Sequence, residues 1–192
     1  RSADPAIFVC TNGKKDLSCA LLGRRIIDDL RADNELTGQV FEASHLTGHR
    51  FAPTALLLPW GYMYGRLDTD STKQALASAW DGKTLTSHLR GRTSFAPWAQ
   101  AAELSVREAA NEHGLDSLDV LVWRGERALP WQVAGHLETN DVVEVRHQSG
   151  RAWHVSLESV AVPERLISCN ATPEPGTRWQ ANEVKAVADW MR

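Results

Sequence analysis

The pattern of apolar and polar positions changes character along this chain. Up to about residue 115, short apolar runs alternate with segments of helical spacing, and after that strict alternation takes over. Pro5-Ala6-Ile7-Phe8-Val9-Cys10 reads as a short buried strand that ends at a cysteine. Thr11 to Asp16 is polar and holds the turn dipeptide Asn12-Gly13. Ser18 is expected to cap a helix beginning near Cys19, with Leu21, Leu22, Ile26, Ile27 and Leu30 facing inward. Arg24, Arg25, Asp28 and Asp29 fall on its wet side. Gln39 to Ser44 reads as a second strand, which delivers His45 at its carboxyl end. Thr47-Gly48 argues against helix there, so His45 and His49 are placed on a loop. Thr54 to Leu58 is a third strand, Pro59 to Tyr62 a turn, and Met63 to Leu67 a return strand. Asp70-Ser71 caps a further helix that carries Leu76 and Trp80 on its inner face.

Gly91-Arg92-Thr93-Ser94 reads as a loop. Pro97 then opens a long helix with Trp98, Ala101, Ala102, Leu104 and Ala109 as its apolar positions, ending at Gly114. Leu118 to Trp123, Asp141 to Arg146 and Trp153 to Leu157 read as three strands, the last two joined by a turn at Gln148 to Arg151. Pro173 to Gly176 predicts a turn, followed by a helix from Ala181 to Met191. The order strand, helix, strand, hairpin, helix resembles the thioredoxin-like arrangement. The expectation is an α/β protein: a thioredoxin-like core over residues 1–115 and an α+β extension over residues 116–192, packed as one unit with it. In open α/β sheets, sites form outside the carboxyl ends of strands, and both the cysteine and the histidine loops fall there.

At 192 residues the chain can bury a sizeable core, so it needs no metal merely to fold. Its 24 acidic and 21 basic residues give a net charge of −3, with no run of five or six like charges. Nucleic acid and anionic membrane surfaces are not expected partners. The longest apolar runs, such as Ala55 to Trp60, are strand-sized and far short of the ~20 residues of a spanning helix. Three cysteines is an odd and low number, which favours a reducing, cytoplasmic compartment over a disulfide framework. No secretory signal is visible, but the chain begins at Arg1 rather than Met and reads as processed or trimmed. Eight tryptophans, against two tyrosines, are expected mostly in core or groove packing.

The chemistry concentrates in Cys10, Cys19, His45 and His49. Eight residues separate the cysteines and three separate the histidines. Zinc fingers place two to four residues between their cysteines, so eight is too wide for a knuckle, though not for a looser zinc site. The set can hold a single zinc or a two-iron, two-sulfur cluster, and ligands from two such loops suit the cluster better. In a Rieske-like split, the cysteines take one iron and the histidines the other. Neutral imidazoles make the site less negative and raise its potential. A ring nitrogen that is not bound to iron can carry a proton, which couples electron uptake to proton uptake.

Residues 45–66 run His-Leu-Thr-Gly-His-Arg-Phe-Ala-Pro-Thr-Ala-Leu-Leu-Leu-Pro-Trp-Gly-Tyr-Met-Tyr-Gly-Arg. This stretch resembles the signature of the sucrase/ferredoxin-like family, which is His-x-Gly-Gly-His-Arg-Phe-Ala followed by Pro-x-Gly and Tyr-Gly-Arg. Phe8-Val9-Cys10-Thr11 with Cys19 is similar to the family's cysteine loop, and further similarities fall at Ala101-Ala102-Glu103, His147 to Trp153 and Ser168-Cys169. The resemblance implies a thioredoxin-like ferredoxin with a 2Fe–2S cluster held by Cys10, Cys19, His45 and His49. It also implies an electron carrier rather than an enzyme, acting between redox partner proteins. Thr47 stands where the family more often has Gly, and family chains are usually longer at the amino end.

Other readings stay open on the residues. The same four ligands suit a zinc protein or a zinc-dependent enzyme. A thiol oxidoreductase would want a Cys-x-x-Cys motif, which is absent. A sugar hydrolase would want paired carboxylates, and none stands out. Cys10 and Cys19 could be buried small hydrophobes. Cys169 reads as a structural thiol, and His88, His113, His136, His147 and His154 lack metal-ligand spacing. Arg50, Tyr64 and Arg66 either line the cluster's surroundings or serve in a salt bridge and in packing. Pro53 precedes the third strand, where thioredoxin folds often place a cis proline. Lys14 and Lys15 on the cysteine loop suit an acidic partner or a solvated turn.

Overall fold

In the computed structural model, which describes residues 4–14, 16–32, 36, 38–168 and 171–187, the chain opens with β1, Ala6–Cys10. Ile7 and Val9 of β1 are fully buried, while Phe8 stacks on Phe41 across the sheet with ring centroids 5.0 Å apart. β1 pairs in parallel with β2, Val40–Ala43, and antiparallel with β3, Thr54–Leu58. β3 forms an antiparallel hairpin with β4, Tyr62–Gly65. With β5, Leu89–Arg92, the sheet order is β2-β1-β3-β4-β5. Helix α1, Arg24–Arg31, links the parallel pair, and α2, Thr69–Trp80, follows the hairpin. The mixed α/β class and the strand–helix–strand–hairpin–helix order agree with the sequence pattern. Ala52–Pro53 is cis, as expected for the residue before β3, and Leu58–Pro59 is cis as well.

Several expectations shift for physical reasons. Residues Cys19–Gly23 form a π-helical turn ahead of α1. Its extra residue rotates the inward face, so Cys19, Gly23, Ile26, Ile27 and Leu30 are buried while Leu21 and Leu22 are exposed. Ser18 makes no side-chain cap, and Asp16 does so instead by accepting the Ser18 N–H at 2.9 Å. Asp68, not Asp70, caps α2, in a reciprocal pair with Ser71. Trp80 ends that helix, projects past the core at 52% exposure, and donates its indole N–H to Gln39 at 2.7 Å. Of the stretch read as a loop, Gly91 and Arg92 end β5, while Thr93 and Ser94 form a turn.

The second sheet runs β10-β9-β8-β6-β7. It comprises β6, Leu118–Arg124, β7, Arg127–Pro130, β8, Val142–His147, β9, Ala152–Arg165, and β10, Glu174–Val187. The expected carboxyl-terminal helix is a strand over its described part. β10 is an edge strand, where a proline such as Pro175 is tolerated, and Thr177, Val184 and Val187 favour extended backbone. Residues 188–192, the rest of that expected helix, lie outside the described residues. Helix α3, Pro97–Ala110, stops at Asn111, which takes the left-handed conformation, and the short α4, Trp131–Ala134, follows β7. Trp98, Val106, Val120, Val145 and Trp153 form the core of this part.

The chain divides into two compact units, Arg1–Arg90 with Pro163–Gly176, and Gly91–Val162 with Thr177–Arg192. No helix among the described residues is long and apolar enough to cross a membrane.

Candidate functional site

Three local devices shape the region around Cys10, Cys19, His45 and His49. The first ties the cysteine loop to the histidine loop. Cys10 ends β1 opposite Ala43, and the next residue, Thr11, donates its N–H to the Ala43 carbonyl at 3.1 Å. Thr11 Oγ1 donates to Glu42 at 3.0 Å, and the Asn12 amide donates to the Ser44 carbonyl, one residue before His45.

The second device is the π turn. Such turns are rare in helices and are often found at functional sites. Cys19 begins it and Gly23 ends it. A Cβ on Gly23 would lie 2.2 Å from the Cys10 carbonyl oxygen, so only glycine lets the turn approach the end of β1 this closely. The third device is the loop at Gly48. Its φ of 82° lies in the left-handed region that glycine tolerates, and it starts the 3₁₀ turn His49–Phe51.

Together these place the Cys19 sulfur 3.5 Å from His49 Nδ1. The His45 and His49 rings lie 5.0 Å apart, tilted by 38°. Cys19, His45 and His49 therefore converge, while Cys10 sits at the strand end with its carbonyl against the π turn. Both cysteines have no exposed surface, His49 is half-buried and His45 is exposed. Among the described residues, no three or more His, Cys, Asp or Glu side chains are grouped as a metal-binding set. The donor types nevertheless suit a metal group whose inner side takes thiolates and whose outer side takes imidazoles. Cys169 and Lys15 lie outside the described residues.

A shallow cleft of about 290 Å³ opens beside His49, with Asp16, Ser18, Leu22, Arg50 and Leu166 on its walls. Phe51, two residues after His49, carries three guanidiniums around its ring: Arg90 at 3.6 Å, Arg50 at 4.3 Å and Arg66 at 5.6 Å from the centroid. Desolvation lowers the pKa of Arg50 below the usual arginine value, and repulsion from Arg165 and Arg66 adds to it. Arg90 is lowered by the same causes. Its side chain is exposed overall, but its guanidinium is covered by the ring it packs on. Tyr64 belongs to the core: it is fully buried and its hydroxyl pairs with Thr84 Oγ1 at 2.8 Å. Sequence reasoning passed over Asp16, Phe51, Arg90 and Arg165. An aspartate two residues before Ser18, the expected cap, was a visible cue for Asp16, whereas nothing local marks Arg90 or Arg165 as neighbours of Phe51.

A βαβ unit followed by a hairpin and helix, with thiol and imidazole loops at one end of its sheet, defines an α/β domain with a candidate ligand site. Residues 2–91 match the family model described as sucrase/ferredoxin-like, the family that the His45–Arg66 motif resembles. The match ends at residue 91, before the Ala101–Glu103, His147–Trp153 and Ser168-Cys169 stretches. The chain is similar to the altered inheritance of mitochondria protein 32 of Candida glabrata, at 28% identity over 82 residues. That alignment covers 42% of this chain and 24% of the relative, so the chain spans about a quarter of that protein's length. No solved structure matches.

Proposed function

We propose that the protein is a one-electron carrier that holds a 2Fe–2S cluster through Cys10, Cys19, His45 and His49. The observation that supports this reading most is the convergence of the Cys19 sulfur with the His49 and His45 rings at loops tied together by Thr11 and Asn12. When bound, the cluster supplies a one-electron couple, and two imidazole ligands raise its potential above that of an all-thiolate site.

The chain's own residues do the rest. Cys10 and Cys19 keep their sulfurs out of water. His45 offers an exposed ring at which an electron can leave, and the free ring nitrogen of an imidazole ligand would couple that step to a proton. Asp16 and the Gly23 approach hold Cys19 against the strand end. The protein turns over no substrate of its own in this reading and exchanges electrons with donor and acceptor proteins. It needs a compartment that keeps Cys10 and Cys19 reduced, and the cytoplasm meets that need.

Iron and sulfide analysis of the purified protein, with a visible spectrum and EPR of the reduced form, tests this. We expect a brown protein with about two irons per chain and a signal shifted by nitrogen ligation. A colourless protein with stoichiometric zinc and no iron would overturn it in favour of a zinc site on the same residues. His49→Cys should keep a cluster but lower its potential and weaken its pH dependence. A potential that is pH-independent in the parent protein would refute the proton coupling.

A further inference from the structure

Acidic residues outnumber basic ones in this chain, and many of its arginines meet a carboxylate. Arg31, Arg92, Arg107, Arg124, Arg146 and Arg151 each do. Arg50, Arg66, Arg90 and Arg165 have no carboxylate partner among the described residues. Three of them crowd the Phe51 ring within 5.6 Å of its centroid, and the fourth is close enough to repel Arg50 and Arg90. Arg66 is also held at a φ of 58°, a left-handed conformation that non-glycine residues rarely adopt. Four like charges gathered with no carboxylate paired to any of them among the described residues are self-repulsive, and such a concentration in an acidic chain suits an anionic ligand.

The same face carries exposed apolar side chains. Leu22 is 46% exposed and Leu166 49%, and both line the cleft that Arg50 and His49 share. A small oxyanion has no use for exposed leucines, whereas a protein surface with carboxylates around an apolar patch pairs with both features.

We propose that Arg50, Arg66, Arg90 and Arg165, with Leu22 and Leu166, form a docking surface for the acidic face of a protein partner beside His49. It rests on the electron-carrier reading for the reason a partner comes, but the surface binds with or without a cluster. Charge complementarity would speed encounter and orient the partner so that the exposed His45 edge is near its redox group.

The test uses the full chain, metal-free and metal-loaded, with a fluorescein-labelled peptide rich in Glu and Leu, read by anisotropy at low salt. Inorganic pyrophosphate and phosphatidylserine vesicles serve as competing probes. Replacing all four arginines (Arg50→Gln, Arg66→Gln, Arg90→Gln, Arg165→Gln) should weaken peptide binding by about tenfold or more and flatten its salt dependence. A control with the same charge change elsewhere (Arg24→Gln, Lys83→Gln, Arg127→Gln, Lys185→Gln) should change it by less than about twofold. Leu22→Ser with Leu166→Ser should weaken the peptide several-fold and leave pyrophosphate unaffected. Among the described residues the four arginines have no ion pair to lose, a thermal melt checks that the variant folds, and Arg66→Gln with Arg165→Gln gives a milder second variant that keeps the two closest guanidiniums on Phe51.

Equal losses in cluster variant and control would overturn the proposal, because net charge alone would then explain binding. So would pyrophosphate binding as tightly as the peptide, or arginine-dependent binding of vesicles but not of the peptide. Peptide binding to a protein that never takes up iron would keep the surface and reject the electron carrier. Iron uptake without peptide binding would do the reverse.

Discussion

At the scale of single residues, Gly23 is the position on which the site depends most. Its φ of −66° is ordinary helix, so alanine there should gain up to about 1 kcal/mol in helix propensity. The added Cβ, however, would stand 2.2 Å from the Cys10 carbonyl oxygen, and a backbone atom cannot swing away as a side chain can. Overpacking of this kind costs about 1–3 kcal/mol, so the collision outweighs the propensity gain. Gly23→Ala should lower stability by about 2 kcal/mol and push Cys19 away from β1. Urea denaturation checks the first effect, and metal content after reconstitution checks the second. A variant as stable as the parent, with full metal content, would mean that the end of β1 yields freely.

At the scale of elements, helix α2 owes its start to Asp68. The Asp68 carboxylate accepts the Ser71 N–H at 2.8 Å, and Ser71 Oγ accepts the Asp68 N–H at 2.9 Å. Hydrogen bonding from the Ser71 hydroxyl, then from its backbone N–H, lowers the Asp68 pKa below the usual carboxylate value. The folded state thus favours the charged form. Its contribution is fully present above the unfolded value near ~4 and is lost as pH falls through the lowered folded value. Asp68→Ala should therefore cost about 1 kcal/mol at neutral pH, and the gap to the parent should close in acid. Thermal melts across pH 2 to 7 measure it, and a gap that does not narrow below about pH 4 would contradict the assignment. These elements also show where sequence patterns stop being legible. The strands around Ile7 and Leu57 are short apolar runs and the one around Val120 follows local alternation, so all three were readable. The π turn was not, because one extra residue per turn depends on how closely Gly23 can meet Cys10, a contact between segments. The strand residues 181–187 were misread as helix because pairing with β9, not their own composition, decides their state. Cys19, His45 and His49 were legible through their spacing and motif, whereas Arg90 and Arg165 join Phe51 only through the fold.

At the scale of the whole molecule, the end of the family match falls next to a boundary between the two units. The first unit's continuous stretch ends at Arg90 and the match at residue 91, yet Pro163–Gly176 also belongs to that unit and supplies Arg165 and Leu166. The second unit is organised around a different polar feature. Glu103 has no exposed surface, and its Oε1 accepts from Arg92 Nε at 3.0 Å and from Arg107 Nε at 3.2 Å and Nη2 at 3.0 Å. Arg92 also donates to the Leu118 carbonyl, and Arg107 to the Glu112 and Gly114 carbonyls, so this carboxylate fixes α3 to β6 and to the turn before it. Removing it takes away the buried carboxylate that Arg92 and Arg107 share, while Arg92 keeps its pair with Asp116. The loss of one partner from such a buried pair costs about 3–5 kcal/mol. Glu103→Ala should therefore speed amide hydrogen exchange through residues 97–162. Exchange over β1, the π turn and β3, which belong to the other unit, should stay near that of the parent. The Gly23→Ala variant should give the opposite pattern. If Glu103→Ala instead raised exchange equally over residues 6–65, the two units would unfold as one cooperative body, and the candidate site would depend on the buried charge of the second.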